Sequence, residues 1–186
     1  MPFDHFGLIA PIFSRAKYSS LETMLAQADL PTSGRVLDAG GGTGRVASAI
    51  RAHAGEVVIA DPSIGMLREA DQTQLKLACS NSESLPFPND SFERVVMVDA
   101  LHHVINQSQT AREMYRVLRP GGRIVIEEPD IRSFYVKLIA VAEKLLLMRS
   151  HFLAPQKIVD LFSFDSAQTN IHAVNGSAWV VIEKPQ

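Results

Sequence analysis

Apolar residues recur along this chain in short runs, most of them ending in a carboxylate or amide and followed by a helical pattern. Val36-Leu37 ends at Asp38, Val57 to Ala60 ends at Asp61, Leu75 to Cys79 leads to Ser80-Asn81, and Phe92 to Val98 ends at Asp99. Apolarity that is continuous rather than alternating marks strands covered on both faces, as in a parallel sheet. Between the runs, Leu21, Met24, Leu25 and Ala28 fall at i, i+3, i+4 and i+7 on one helical face, which Pro31 and Gly34 end. Helical spacing returns at Thr43 to His53, where Gly55 breaks the pattern, then at Ile64 to Ala70 and at Gln107 to Leu118. Arg119-Pro120-Gly121-Gly122 turns the chain into a fifth strand, Arg123 to Glu127. After a short helix at Pro155 to Phe162, Thr169 to Val174 and Ala178 to Glu183 alternate as strands around Asn175-Gly176, a hairpin turn. This order predicts an α/β fold: a doubly wound, mostly parallel, seven-stranded sheet closed by an antiparallel hairpin, in a single domain over 1–186.

The stretch Arg35 to Ala47 carries the clearest chemistry. A strand ending in Asp38 runs through Gly40, Gly41, Gly42 and Gly44 into a helix. Such a loop lets a ligand approach the backbone, and the helix behind it offers free N–H groups. The spacing Gly40-x-Gly42-x-Gly44 is not the G-x-G-x-x-G of dinucleotide sites, because Arg45 stands where the third glycine would be, and no G-K-[ST] phosphate loop is present. An acidic residue directly before the glycines would repel a pyrophosphate and suits a ligand bearing an ammonium or sulfonium group. Asp61 follows the loop by about twenty residues, the offset at which such folds place a carboxylate on ribose hydroxyls. A competing role for Asp61-Pro62-Ser63 is to cap the helix that follows. Asp99, His102 and His103 stand at the carboxyl end of the fourth strand, where open α/β sheets hold ligands.

Composition narrows the classes. The 186 residues are long enough for one sizeable core, and a net charge of −2 leaves no electrostatic footprint for nucleic acid. Cys79 is the only cysteine, so no intrachain disulfide can form, and a reducing compartment is expected. The opening M-P-F-D-H-F lacks the basic n-region and long apolar core expected of a signal peptide, and the apolar run Leu138 to Met148 is interrupted by Glu143 and Lys144 and too short to span a bilayer, so no integral membrane segment is expected and the cytoplasm is the expected location. Metal ligation is not expected, since adjacent histidines point apart and no H-x-x-x-H partner set exists.

The glycine loop, as V-L-D-A-G-G-G-T-G, resembles the hallmark of the class I S-adenosylmethionine-dependent methyltransferases. The stretch S-N-S-E-S-L-P-F-P-N-D-S-F-E-R-V is similar to a motif of the ubiquinone/menaquinone-biosynthesis type, and M-Y-R-V-L-R-P-G-G-R-I-V-I-E-E-P is a third signature of that group. Together they cover roughly residues 35 to 130 and agree with the pattern-based fold. The resemblance implies a Rossmann-like methyltransferase fold and S-adenosyl-L-methionine as cofactor. It places Asp38, Gly40, Gly42, Gly44, Asp61, Pro62, Met66 (or Leu67), Asn81, Ser82 and Asp99 around that cofactor. The opening F-D-x-x…A-P-I-F is similar to a segment that lies over the cofactor in this group, which adds Phe13 where the group has Tyr.

Transfer of a methyl group from sulfur needs alignment in a dry pocket more than a nucleophile. If the acceptor must lose a proton, the candidate bases are His103, His102, Asp99 and Glu128, while Glu127 and Glu128 could equally be an exposed carboxylate pair. Residues 1–30 read as a helical cover and 131–165 as a helical insert. From Phe134 to Met148 apolar side chains run nearly all round the helix, so the domain, a second subunit in a homodimer, or an apolar substrate must cover it. The expected function is methyl transfer to a small apolar, phenolic or quinone-like acceptor. The alternative is a non-catalytic S-adenosylmethionine- or S-adenosylhomocysteine-binding regulatory or interaction protein, with a nicotinamide oxidoreductase a weaker rival.

Overall fold

The computed structural model describes residues 7, 10, 18–70, 75–134, 136–137, 150–163, 166–174 and 176–186. In chain order these form α1 (Leu21–Gln27), β1 (Thr32–Ala39), α2 (Arg45–Ile50), β2 (Ala54–Asp61), α3 (Ile64–Glu69), β3 (Lys76–Cys79), β4 (Phe92–Val98), α4 (Gln107–Val117), β5 (Leu118–Pro129), α5 (Pro155–Asp160), β6 (Gln168–Val174) and β7 (Ser177–Glu183). Single 3-10 turns, Arg51–His53 and Leu101–His103, follow α2 and β4.

All seven strands form one sheet in the order β3-β2-β1-β4-β5-β7-β6. The pairs among β1 to β5 are parallel, and β7 runs antiparallel between β5 and β6. Alternate residues of each strand feed opposite cores, because successive side chains leave a strand on opposite faces. Leu37, Val58, Val95, Met97, Ile124 and Ile126 pack with Met114 and Tyr115 of α4 and Ile158 of α5. Val36, Val57, Ile59, Val96, Val125 and Trp179 pack with Met24 of α1, Val46 and Ile50 of α2 and Leu67 of α3. Covering both faces is what makes the strands read as unbroken apolar runs.

Two boundaries differ from the sequence reading, each for a local reason. Gly55 lies inside β2 rather than ending the pattern: β1 bulges between Thr32 and Arg35, and a methyl on Gly55 would stand 1.9 Å from the Ser33 carbonyl oxygen. The turn at Pro120-Gly121-Gly122 is absorbed into β5, which leaves its register with β4 between Leu118 and Arg123 and resumes it.

Candidate functional site

β1 and β4 are the neighbours from which the strand order runs outward in opposite directions, so the loops after them part and leave a crevice at their carboxyl ends. That crevice is a cavity of about 600 Å³. The loop after β1 supplies Asp38, Gly40, Gly41, Gly42, Thr43 and Arg45 to its wall, and β2 with α3 supplies Asp61, Pro62, Ser63 and Met66. Asn81 to Ser84 follow β3, and Val98, Asp99, Ala100 and His103 to Asn106 follow β4. A shallower depression of about 680 Å³ lies beyond the rim formed by Ile105 and Asn106.

Gly40, Gly42 and Gly44 all take positive φ. Gly44, with φ +76, is the residue before α2, and a methyl there would meet Ile59 Cδ1 at 2.9 Å. It is not on the cavity wall: it seats α2 against β2, whereas Gly40 and Gly42 face the cavity.

Asp61 holds this loop. Its Oδ2 accepts the Gly42 N–H at 2.9 Å and its Oδ1 the Ser63 N–H at 2.8 Å. The cap of α3 is Ser63, whose Oγ accepts the Met66 N–H, so Asp61 is not spent on capping. Asp61 thus presents an acceptor-only group on the cavity wall.

Asp38 is 1% exposed, and its Oδ2 accepts the Ala47 N–H at 3.1 Å. Its Oδ1 is buried with no hydrogen-bond partner among the described residues. Burial pushes the carboxyl up to about 7, Asp61 adding to the effect while the Ala47 N–H and Arg45 oppose it. A buried acceptor left unpaired is costly, and a cationic ligand is the group that would relieve the cost.

Arg45, at the start of α2, meets Asp99 Oδ2 at 3.2 Å and lies over the Tyr18 ring at 5.5 Å. The Tyr18 hydroxyl donates to Glu127 Oε2 at 2.7 Å. Burial, with Glu127 alongside, raises the Tyr18 hydroxyl, and burial is also the main cause that raises Glu127.

Glu127 and Glu128 are not an exposed pair: they are 5% and 3% exposed and, as neighbours on a strand, serve different partners. Glu128 Oε1 accepts the N–H groups of Ala100 and Leu101, at 2.9 and 2.8 Å, and its Oε2 meets His102 Nδ1 at 2.5 Å. His102 is 4% exposed and stacks on Phe152. Neither Glu128 nor His102 reaches the cavity wall; His103 and Asp99 do. The two histidines do not point apart. Their rings lie 4.0 Å from each other, because Leu101–His103 is a tight 3-10 turn and not a strand. His103 Nδ1 lies 3.3 Å from Ser150 Oγ, and burial, helped by His102, pushes its imidazole down to about 3.

Of the predicted cofactor residues, Asp38, Gly40, Gly42, Asp61, Pro62, Met66, Asn81, Ser82 and Asp99 share this one cavity, and Gly44 stands behind it. Phe13, and residues 138–148 of the helix expected from Phe134 to Met148, lie outside the described residues. The sequence reading missed Arg45 as a wall residue, and also Glu83, whose Oε1 accepts the N–H groups of Ile105 and Asn106 and ties the rim across the cavity. A signal for Arg45 existed, since a helix opening on an arginine at a glycine loop places a cation at the ligand. Nothing in the pattern marked Glu83.

The family model described as "Methyltransferase domain" matches residues 37–126, from the core of β1 to the end of β5's parallel run. Just under half of the chain is thus similar to that domain. The ubiquinone/menaquinone biosynthesis C-methyltransferase UbiE of Coxiella burnetii is 40% identical over 115 residues, 56% of this chain and 46% of that protein. The chain thus spans about half the length of the curated relatives it matches. Among solved structures, a SAM-dependent methyltransferase from Thermotoga maritima superposes with a TM-score of 0.79 at 19% identity, covering 96% of this chain and 98% of that one. The [4+2]-cyclase SpnF superposes with a TM-score of 0.77 at 14% identity, over 97% and 94%. The fold is therefore shared by proteins of different chemistry, and the argument for chemistry rests on the wall of the cavity. The wall fits an adenosyl amino acid: a buried carboxylate oxygen that no described residue satisfies, a second carboxylate, and glycines that let the backbone come close.

Proposed function

We propose that this chain is an S-adenosylmethionine-dependent methyltransferase acting on a small apolar, phenolic or quinone-like acceptor. The observation that carries the reading is Asp38, a buried carboxylate on the cavity wall with an oxygen that no described residue satisfies. An ammonium beside it would convert a buried, readily protonated carboxyl into an ion pair. Asp61 would receive the ribose, Met66 would lie on the adenine ring, and Asn81 with Ser82 would meet the adenine edge. When bound, the sulfonium supplies an activated methyl group whose leaving thioether needs no protonation.

What remains for the protein is to position and to exclude water. His103, on the wall and kept neutral by burial, is suited to accept a hydrogen bond from an acceptor hydroxyl. With its imidazole down at about 3 it holds a proton poorly, so its role is to orient the hydroxyl. Asp99, half exposed beside it in the chain turn, is the better placed of the wall groups to pass a proton to solvent. Glu128 and His102 support the turn that carries both. The preference for an apolar or phenolic acceptor rests on the quinone-biosynthesis relatives.

Isothermal titration with S-adenosylmethionine, S-adenosylhomocysteine and NAD tests the cofactor assignment. Binding of the first two and not of NAD is expected, followed by methylation in a screen of phenols and quinols. Absence of binding by either sulfur ligand would overturn the reading.

A further inference from the structure

The charges on the cavity wall are unevenly shared. Among the described wall residues, Asp38, Asp61, Glu83 and Asp99 bear carboxylates, and Arg45 is the only lysine or arginine. An adenosyl amino acid brings both an ammonium and an α-carboxylate. The ammonium has Asp38, but a carboxylate entering so acidic a wall needs a cation, and among the described wall residues Arg45 alone can supply it. In the structure Arg45 is already engaged, by Asp99.

We propose that Arg45 is the anchor for the ligand's α-carboxylate, and that Asp99 occupies Arg45 with a carboxylate of its own until that ligand arrives. This rests on the cofactor reading above and adds a partner exchange: one Arg45 ion pair is given up for another. Three features support the exchange. The Arg45–Asp99 contact is single, at 3.2 Å through Nη2, which leaves most of a five-donor fork for a planar carboxylate. The Asp99 side chain is 50% exposed, so it can return to water when displaced, and such a pair is weak. Asp99 also holds φ +51, a left-handed conformation uncommon outside glycine, at the point where β4 opens into the cavity. Meanwhile the Tyr18 ring, fixed by its bond to Glu127, lies under the guanidinium and keeps it in place whichever carboxylate it serves.

The test compares S-adenosylmethionine with decarboxylated S-adenosylmethionine, which keeps the sulfonium and the ammonium but lacks the α-carboxylate, by titration calorimetry on the full chain. Arg45→Met should weaken S-adenosylmethionine about tenfold or more and leave the decarboxylated ligand within about twofold, with Arg45→Lys intermediate because a point charge replaces the fork. Asp99→Asn should tighten S-adenosylmethionine several-fold and leave the decarboxylated ligand unchanged. Thermal melting of each variant, expected within a few degrees of the parent, separates loss of binding from loss of folding. Equal losses for both ligands in Arg45→Met, or weaker S-adenosylmethionine binding in Asp99→Asn, would overturn the exchange while leaving the cofactor site standing. Failure of the parent protein to bind either ligand would overturn the cofactor reading and the exchange with it.

Discussion

Glu128 and His102 meet at 2.5 Å beneath the cavity, both nearly inaccessible to solvent, and the other Glu128 oxygen takes the backbone N–H groups of Ala100 and Leu101. One buried carboxylate thus ties the end of β5 to the turn after β4. The strap at residues 150–152 adds to it: the His151 N–H donates to the His102 carbonyl at 2.7 Å, and Gln107 Nε2 bridges the Leu101 and His151 carbonyls.

Removing that carboxylate should therefore cost folding energy before chemistry. Glu128→Leu leaves the buried Leu101 N–H, the half-buried Ala100 N–H and the His102 ring nitrogen without their acceptor, and about 3 kcal/mol of stability should be lost. Glu128→Gln, which keeps an acceptor oxygen, should lose less. Urea denaturation of the two variants against the parent measures this, and an equal, small loss in both would show that the tie is not structural.

Asp38 makes ligand binding depend on pH. Its carboxyl is raised to about 7, so the free protein holds a proton there that the unfolded chain has released, and this group's contribution to stability falls as pH rises from about 4 to about 7. A cationic ligand favours the charged carboxylate, so S-adenosylmethionine should bind more tightly as pH rises from 5.5 to 7.5, releasing a proton. Calorimetry in two buffers of different ionisation enthalpy reads that proton directly. Asp38→Asn should stabilise the free protein above pH 7, weaken binding, and remove the proton release.

His103 acts with the opposite sign. Its folded value is near 3, below the ordinary 6.5, so the unfolded chain binds the extra proton between those values. Stability from this residue is present above pH 6.5 and is lost as pH falls toward 3. His103→Gln should reduce the acid sensitivity of the melting temperature between pH 6.5 and 4.5. In activity profiles no inflection near 6.5 should trace to His103.

Arg116 governs the loop that follows Asn81 to Ser84. Its guanidinium donates to the Leu85 and Phe87 carbonyls and to Asn89 Oδ1, and it is held in place by Glu113, which also accepts the Leu85 N–H. Arg116→Ala should cost about 2 kcal/mol and raise amide hydrogen exchange in residues 85–91, since three acceptors lose their donor at once. Unchanged exchange in that loop would show that the prolines at 86 and 88 alone hold it.

The pattern of apolar runs was enough to fix the sheet, because a strand covered on both faces has no polar alternation to keep. The two cores fed by Leu37 and Val36, by Met97 and Val96, are what that reading requires. The glycine loop, Asp38 and Asp61 were also legible, since a strand that ends in a carboxylate and turns on positive-φ glycines is a local arrangement, complete within a few residues. Tertiary structure decided the rest. Whether Glu128 faces the cavity or the turn beneath it depends on strand register, which no local pattern states. The meeting of His102 with His103 depends on a 3-10 turn after β4, and the Arg45–Asp99 pair joins residues 54 apart in sequence. Charges of that kind are placed by the packing of whole elements, and only the folded chain shows which carboxylate reaches which cation.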